Sequence, residues 1–290
     1  MTAALPVATE RCNVHLMPYF TGSDGTRLHY EVVGSGPPLV LHTGGAGDGS
    51  MWKDAGYVDV LAPMRACVLF DHRGHGRSDQ PATPAAHAVS RYVDDIIALL
   101  DHLKLEKAAF WGYSQGANFG LSAAALHPDR FGAVITTGGW TPQDKPLAED
   151  PAAAKAMLDG AERIAALLRE RGWDGLVKDW NWKLTPWFRR QVDATNPEML
   201  ALWYDAYGLW DTWALLPQIA APVLMFVGDL EDVEHGTESA ASRVRDARVV
   251  RLAGEDHITA YARSELVLPI ATTFLTDTAA EAPPPKRVTR

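Results

Sequence analysis

Two kinds of apolar pattern alternate along the chain. Short runs that are apolar at most positions recur between turn residues: Leu39-Val40-Leu41, Ala66 to Phe70, Ala108 to Trp111, Phe131 to Thr137 and Pro222 to Gly228. Runs of that length without alternation predict strands buried on both faces. Ala247 to Leu252, interrupted by Arg248 and Arg251, reads as a last strand outside that pattern. Other stretches space their apolar residues three and four apart. Ala85 to Leu103 does so through Val89, Tyr92, Val93, Ile96, Ile97, Leu99 and Leu100, and Met51 to Leu61, Ala117 to Leu126 and Leu266 to Leu275 also predict helices. Ahead of them, Pro18-Tyr19-Phe20 and Arg27 to Val33 flank Gly22-Ser23-Asp24-Gly25, a hairpin signal. The class predicted is α/β.

The pattern changes between Trp140 and about Pro217. Helical spacing takes over, as in Ala156, Met157, Ala161, Ile164, Ala165, Leu167 and Leu168, and eight of the ten tryptophans fall there. A thin helical layer needs bulky residues for its own core, so most of these tryptophans are expected to serve that purpose. A minority facing a pocket would favour an apolar or aromatic substrate. The expected organisation is a core from 17–140 and 218–277, a helical insertion at 141–217, an irregular leader at 1–16 and a disordered tail at 278–290, which contains Pro283-Pro284-Pro285.

Composition narrows the partners. A 290-residue chain with 47% apolar residues can bury a large core. The formal net charge of −9 makes nucleic acid and anionic membrane poor partners and leaves a small molecule as the expected one. Two cysteines, Cys12 and Cys67, do not suggest a disulfide framework. No segment reads as a membrane span or signal peptide, so a cytoplasmic location is expected. The histidines are scattered without ligand spacing, and no phosphate-cradling or dinucleotide motif appears, so neither metal nor cofactor is expected.

The chemistry is concentrated in Phe110-Trp111-Gly112-Tyr113-Ser114-Gln115-Gly116-Ala117-Asn118. Gly-x-Ser-x-Gly between a strand and a helix predicts a nucleophile elbow, a turn tight enough to strain its central residue and lift the serine hydroxyl clear of the backbone. Glycines on either side leave room for the backbones to meet. The helix that starts there brings positive potential to a developing anion. His42-Thr43-Gly44-Gly45-Ala46-Gly47, after an earlier strand, puts exposed backbone N–H groups near such a serine. Gly44 is the favoured oxyanion donor there, with the N–H of Gln115 as the second.

Taken together, His42-Thr43-Gly44-Gly45, then Asp71-His72-Arg73-Gly74-His75-Gly76-Arg77-Ser78, then Gly112-Tyr113-Ser114-Gln115-Gly116 resemble the α/β-hydrolase superfamily over most of 25–140 and 220–275. The resemblance implies a mostly parallel, doubly wound sheet with an inserted helical cap, and a carboxylesterase-like serine hydrolase acting on esters or lactones. The same parts serve acyl transfer and carbon–carbon bond hydrolysis, and the fold also admits a ligand binder that does not turn over. An acidic nucleophile is disfavoured because position 114 is serine.

A serine needs a base, and the base needs an anchor. Of the histidines, only His235 and His257 follow the expected acid loop, and His235 sits too close to that loop to fold back onto it. His257, after the last strand, completes the chain order serine, acid, histidine. His75 precedes the serine and reads as an exposed turn residue. Members of the superfamily usually place an aspartate three residues after the strand-ending glycine; here that position holds Glu231, with Asp232 next and Asp229 before. Glu231 is placed ahead of Asp232, and Asp229 behind both.

Overall fold

The computed structural model describes residues 18–138, 145–208, 210–231 and 235–280. The predicted leader, Cys12, Trp140 and Asp232 lie outside these residues, as does the tail beyond Ala280. Eight strands form one sheet: β1 (Tyr19–Thr21), β2 (Arg27–Val33), β3 (Pro38–His42), β4 (Ala66–Phe70), β5 (Ala108–Tyr113), β6 (Phe131–Thr137), β7 (Val223–Gly228) and β8 (Ala247–Leu252), in the order β1-β2-β4-β3-β5-β6-β7-β8. The β1/β2 and β2/β4 pairs are antiparallel. All pairs from β4 through β8 are parallel.

Every residue of β3, β4, β5 and β7 is buried, which is why these runs are apolar without alternation. β8, at the sheet edge, is mostly half-buried and carries Arg248 and Arg251. Helices α1 (Met51–Asp54), α2 (Tyr57–Leu61), α3 (Val89–His102) and α4 (Gln115–Leu126) connect the first six strands. The single helix expected over 51–61 is two, because Gly56 at φ 80° separates them. Cys67 is buried in β4, and that burial pushes its thiol up to about 12, as expected of a small core residue.

Between β6 and β7 run α5 (Pro151–Asp179), α6 (Pro186–Ala194), α7 (Pro197–Tyr207) and α8 (Thr212–Leu215). Gly172, at φ 58° and ψ −157°, breaks α5 in two. Pro at the start of α5, α6 and α7 costs no hydrogen bond there, and Asp150, Thr185 and Asn196 cap their first turns. The chain then continues through α9 (Gly236–Ser242), α10 (Thr259–Ala262) and α11 (Ser264–Ala280). The last helix therefore runs three residues past the predicted boundary at 277, and residues 278–280 are helical rather than tail.

The strand order determines where a site can form. From β3 the chain moves to β4 on one side and then to β5 on the other. The connections leaving the carboxyl ends of β3 and β5 therefore diverge, and a crevice opens between them. His42-Thr43-Gly44 leaves β3 at that crevice, and Ser114 ends β5.

Candidate active site

Ser114 sits between the last residue of β5 and the first of α4, at φ 56° and ψ −122°. For a serine this is a strained conformation. The turn survives because its surroundings hold it. Ser114 N–H donates to Thr137 O at 2.8 Å, and Ala117 N–H to Ser114 O at 2.9 Å. The two glycines are required by close approach. A Cβ on Gly112 would sit 2.3 Å from Gly116 O, and one on Gly116 would sit 2.5 Å from Thr43 O.

His257 reaches the same point from the loop after β8. Its Nε2 lies 3.0 Å from Ser114 Oγ, and its Nδ1 lies 2.6 Å from Glu231 Oε2. A carboxylate can only accept, so Nδ1 carries the proton and Nε2 is left to accept from the serine hydroxyl. Burial works to lower the His257 pKa, but the Glu231 carboxylate and its hydrogen bond outweigh burial and raise it above the ordinary histidine value. Of the two candidate acids among the described residues, Glu231 is the one placed against His257; Asp232 lies outside them. Asp229 turns away: its Oδ1 accepts from Gly254 N–H at 2.8 Å.

Three further contacts surround the histidine and its loop, and none was read from the sequence. Asp256 Oδ1 accepts from the backbone N–H groups of Ile258 and Thr259, at 3.0 and 2.8 Å, and so fixes the loop on either side of the ring. Tyr113 donates its hydroxyl to His257 O at 3.2 Å. Trp182 stacks on the imidazole with ring centres 5.9 Å apart. Asp-x-x-Thr at 256–259 is a local turn signal that sequence reasoning could have used. Gly228 and Gly138 are close-approach positions as well. A Cβ on Gly228 would lie 2.2 Å from Glu255 O, and one on Gly138, at φ 129°, would lie 3.3 Å from His257 Cε1.

The loop after β3 packs directly on the serine. A Cβ on Gly44 would lie 2.6 Å from Ser114 Cβ and 3.1 Å from Ser114 Oγ. Gln115 supplies the first N–H of α4, which has no intrahelical acceptor. His75 is not the exposed turn residue expected. It is buried, with Nε2 2.9 Å from Gly45 O and Nδ1 3.1 Å from Arg73 O. The sharp turn containing it folds back under the Gly44-Gly45 loop, and Arg73, bonded to Asp95 and Asp24, anchors it from below.

Ser114 and Gln115 stand where two chambers meet. The narrow one, about 50 Å³, is walled by Gly44, Trp173, Trp180, Trp182, Phe188 and His257. The wide one, about 430 Å³, is lined mainly by α5, α7 and the 210–213 segment, including Trp203, Trp210 and Trp213. Of the seven tryptophans between Trp173 and Trp213, six therefore line a chamber, which corrects the expectation that most serve only the helical layer's own core. The layer is thin enough for one residue to do both: Trp173, Trp203 and Trp213 are buried and still form chamber walls. Among the described residues no helix is long and apolar enough to cross a membrane, and no group of His, Cys, Asp or Glu is placed to hold a metal.

Comparison with known proteins agrees with this architecture. A family profile described as the alpha/beta hydrolase fold matches residues 37–172. A protein of Caulobacter sp. named "Putative carbamate hydrolase RutD" is 38% identical over 122 residues, 40% of this chain and 44% of that protein. The chain thus spans less than half the length of that relative. The enol-lactonase of Burkholderia xenovorans superposes with a TM-score of 0.71 at 26% identity, covering 89% of this chain and 100% of the enzyme. A thermophilic esterase of Thermogutta terrifontis gives a TM-score of 0.74 at 21% identity, covering 90% and 98% of the two chains.

Proposed function

We propose that this chain, a member of the α/β-hydrolase superfamily, is a serine hydrolase of carboxylic esters or lactones that works through an acyl-enzyme. One observation carries the reading: a continuous line of hydrogen-bond contacts from Ser114 Oγ through His257 to Glu231, at 3.0 and 2.6 Å. His257 Nε2 takes the hydroxyl proton as Ser114 Oγ attacks the carbonyl carbon. Glu231 stabilises the resulting imidazolium without taking its proton. The oxyanion is held by the N–H groups of Gly44 and Gln115, fixed before the reaction begins. His257 then returns the proton to the leaving oxygen, and water, activated by the same base, releases the acyl group.

The narrow aromatic chamber would receive a small apolar group, and the wide chamber the larger part of the substrate. The carbamate hydrolase name carried by a 38% identical relative favours a second bond type on the same machinery, since a carbamate carbonyl is attacked in the same way. Ser114→Ala should lower turnover of p-nitrophenyl acetate by about 10⁴-fold or more. A fluorophosphonate probe should label the wild-type protein once, at Ser114. Folded protein that resists labelling would instead fit a ligand binder that keeps the fold without turnover. Running an aryl carbamate beside the ester decides between the two bond types.

A further inference from the structure

The wide chamber carries a polar strip that the proposed chemistry does not use. It begins at Trp210, whose indole N–H donates to Ser122 Oγ at 3.1 Å. Ser122 Oγ lies 2.9 Å from Thr212 Oγ1, and the Thr212 hydroxyl donates to Asn118 Oδ1. Asn118 Nδ2 in turn donates to the Tyr207 hydroxyl oxygen at 3.3 Å. Ser122 and Thr212 are buried, while Asn118 and Tyr207 line the chamber.

The strip has one favoured direction. An indole N–H can only donate and a carboxamide oxygen can only accept. Ser122 therefore accepts from Trp210 and gives its hydrogen to Thr212, Thr212 gives to Asn118, and Asn118 gives to Tyr207. Reversing the carboxamide would strand the Ser122 hydrogen at the buried end, where an unmade hydrogen bond is costly. In the favoured direction the spare hydrogen is the one on Tyr207, and no acceptor for it is present among the described residues. Burial raises the Tyr207 pKa, so the hydroxyl keeps that hydrogen.

Asn118 follows Ser114 by four residues on α4, one turn or about 6 Å along the helix. A donor next to Asn118 therefore meets a substrate only a few bonds from the carbonyl at Ser114. The wall also selects by charge. Asp211 carries the one carboxylate among the described residues of this chamber, which include no Lys, Arg or His, and it accepts from Leu147 N–H at 2.6 Å and Ala214 N–H at 3.2 Å. A second carboxylate would be repelled there.

We propose that Tyr207 is a substrate-binding donor, and that the wide chamber takes a substrate arm bearing an uncharged oxygen acceptor, such as a ketone, ether or amide carbonyl, a few bonds from the reacting group. This rests on the hydrolase reading for the identity of the reacting group, but its test does not depend on turnover. Ser114→Ala protein is titrated calorimetrically with matched esters. In one pair, methyl 5-oxohexanoate and methyl heptanoate, the ketone is on the acyl side. In the other, 3-oxobutyl acetate and pentyl acetate, it is on the alcohol side.

In one of the two pairs the ketone should bind about fivefold tighter, the range of a single neutral hydrogen bond. Adding Tyr207→Phe should bring that ratio to one. Thr212→Val, two links up the strip, should reduce it about twofold, and it keeps the test open if Tyr207→Phe does not fold. Equal affinities in both pairs, a preference that survives Tyr207→Phe, or no measurable binding of any ester would overturn the proposal. The monoester of glutaric acid binding more tightly than methyl heptanoate would overturn its charge clause. A ketone preference in a wild-type protein that hydrolyses none of these esters would remove the hydrolase reading and leave Tyr207 in its role.

Discussion

The carboxyl edge of the sheet, where Ser114 sits, and the helical layer above it are built in opposite ways. At the edge, atoms are held by backbone. Ser114 is fixed by hydrogen bonds on both sides of a strained turn, Gly112, Gly116 and Gly228 allow contacts that no Cβ would permit, and Asp256 ties down the loop that carries His257. In the layer, the walls are side chains: tryptophans in the narrow chamber, and small residues, tryptophans and a polar strip in the wide one. Rigid backbone suits chemistry that needs fixed geometry, whereas walls made of side chains can be changed one residue at a time. Substitutions at the edge should therefore cost rate or folding, and substitutions in the layer should redirect the choice of substrate.

The sharpest way to break this comparison is to alter the edge without moving it. Glu231→Gln keeps the shape but not the charge, and a neutral amide can hold the imidazole in the wrong tautomer. We expect kcat to fall about 10³- to 10⁴-fold. The pH profile gives an independent reading. His257 must be neutral to act as a base, and its pKa is raised above the ordinary value of 6.5. The acidic limb of kcat/KM in the wild-type protein should therefore reach half-maximum above pH 6.5, higher than an unperturbed histidine would give. In Glu231→Gln the carboxylate that raises it is gone while burial remains, so the limb should move to lower pH. A limb at the same pH in both proteins would mean that Glu231 does not act on His257 electrostatically.

Next in size is an edge substitution that reads out in folding. Gly112→Ala places a methyl group 2.3 Å from Gly116 O, against backbone with no rotamer to escape into. We expect a loss of about 3 kcal/mol in stability, the upper end of ordinary overpacking, seen as a lower midpoint in urea. A change near zero would show that the elbow can relax and that its glycines are not set by contact.

The edge was far more legible in the sequence than the layer. Ser114, Gly44, Gln115, His257 and Glu231 could all be named because their neighbours along the chain carry the signal: a glycine pair around a serine, a glycine run after a buried strand, acids and a histidine after the last two strands. Asp232 was named as well but lies outside the described residues. What failed was anything set by packing between distant segments. His75 looked exposed because its glycine-rich turn reads as surface, yet the turn folds under the Gly44-Gly45 loop and buries it. The polar strip joins residues 118, 122, 207, 210 and 212, which no local pattern connects. Helical spacing located the layer but could not say which tryptophans face a chamber, because core and wall are the same surface there.

The smallest effect we expect tests the layer alone. Trp182 belongs to the narrow chamber and stacks on the far side of the His257 ring, but it makes no hydrogen bond to His257 among the described residues. Removing the indole should leave the contacts from Ser114 to Glu231 in place, since these are fixed by backbone and by Asp256. It should enlarge a chamber of about 50 Å³, which has room for only a few non-hydrogen atoms. Trp182→Ala should therefore shift the ratio of kcat/KM for p-nitrophenyl hexanoate over acetate upward by about tenfold, the worth of one further methylene admitted to an apolar pocket. The cost to acetate itself should be smaller, because only the stacking is lost. If acetate and hexanoate fall together, Trp182 acts by holding the imidazole, and the line between edge and layer runs through that side chain rather than below it.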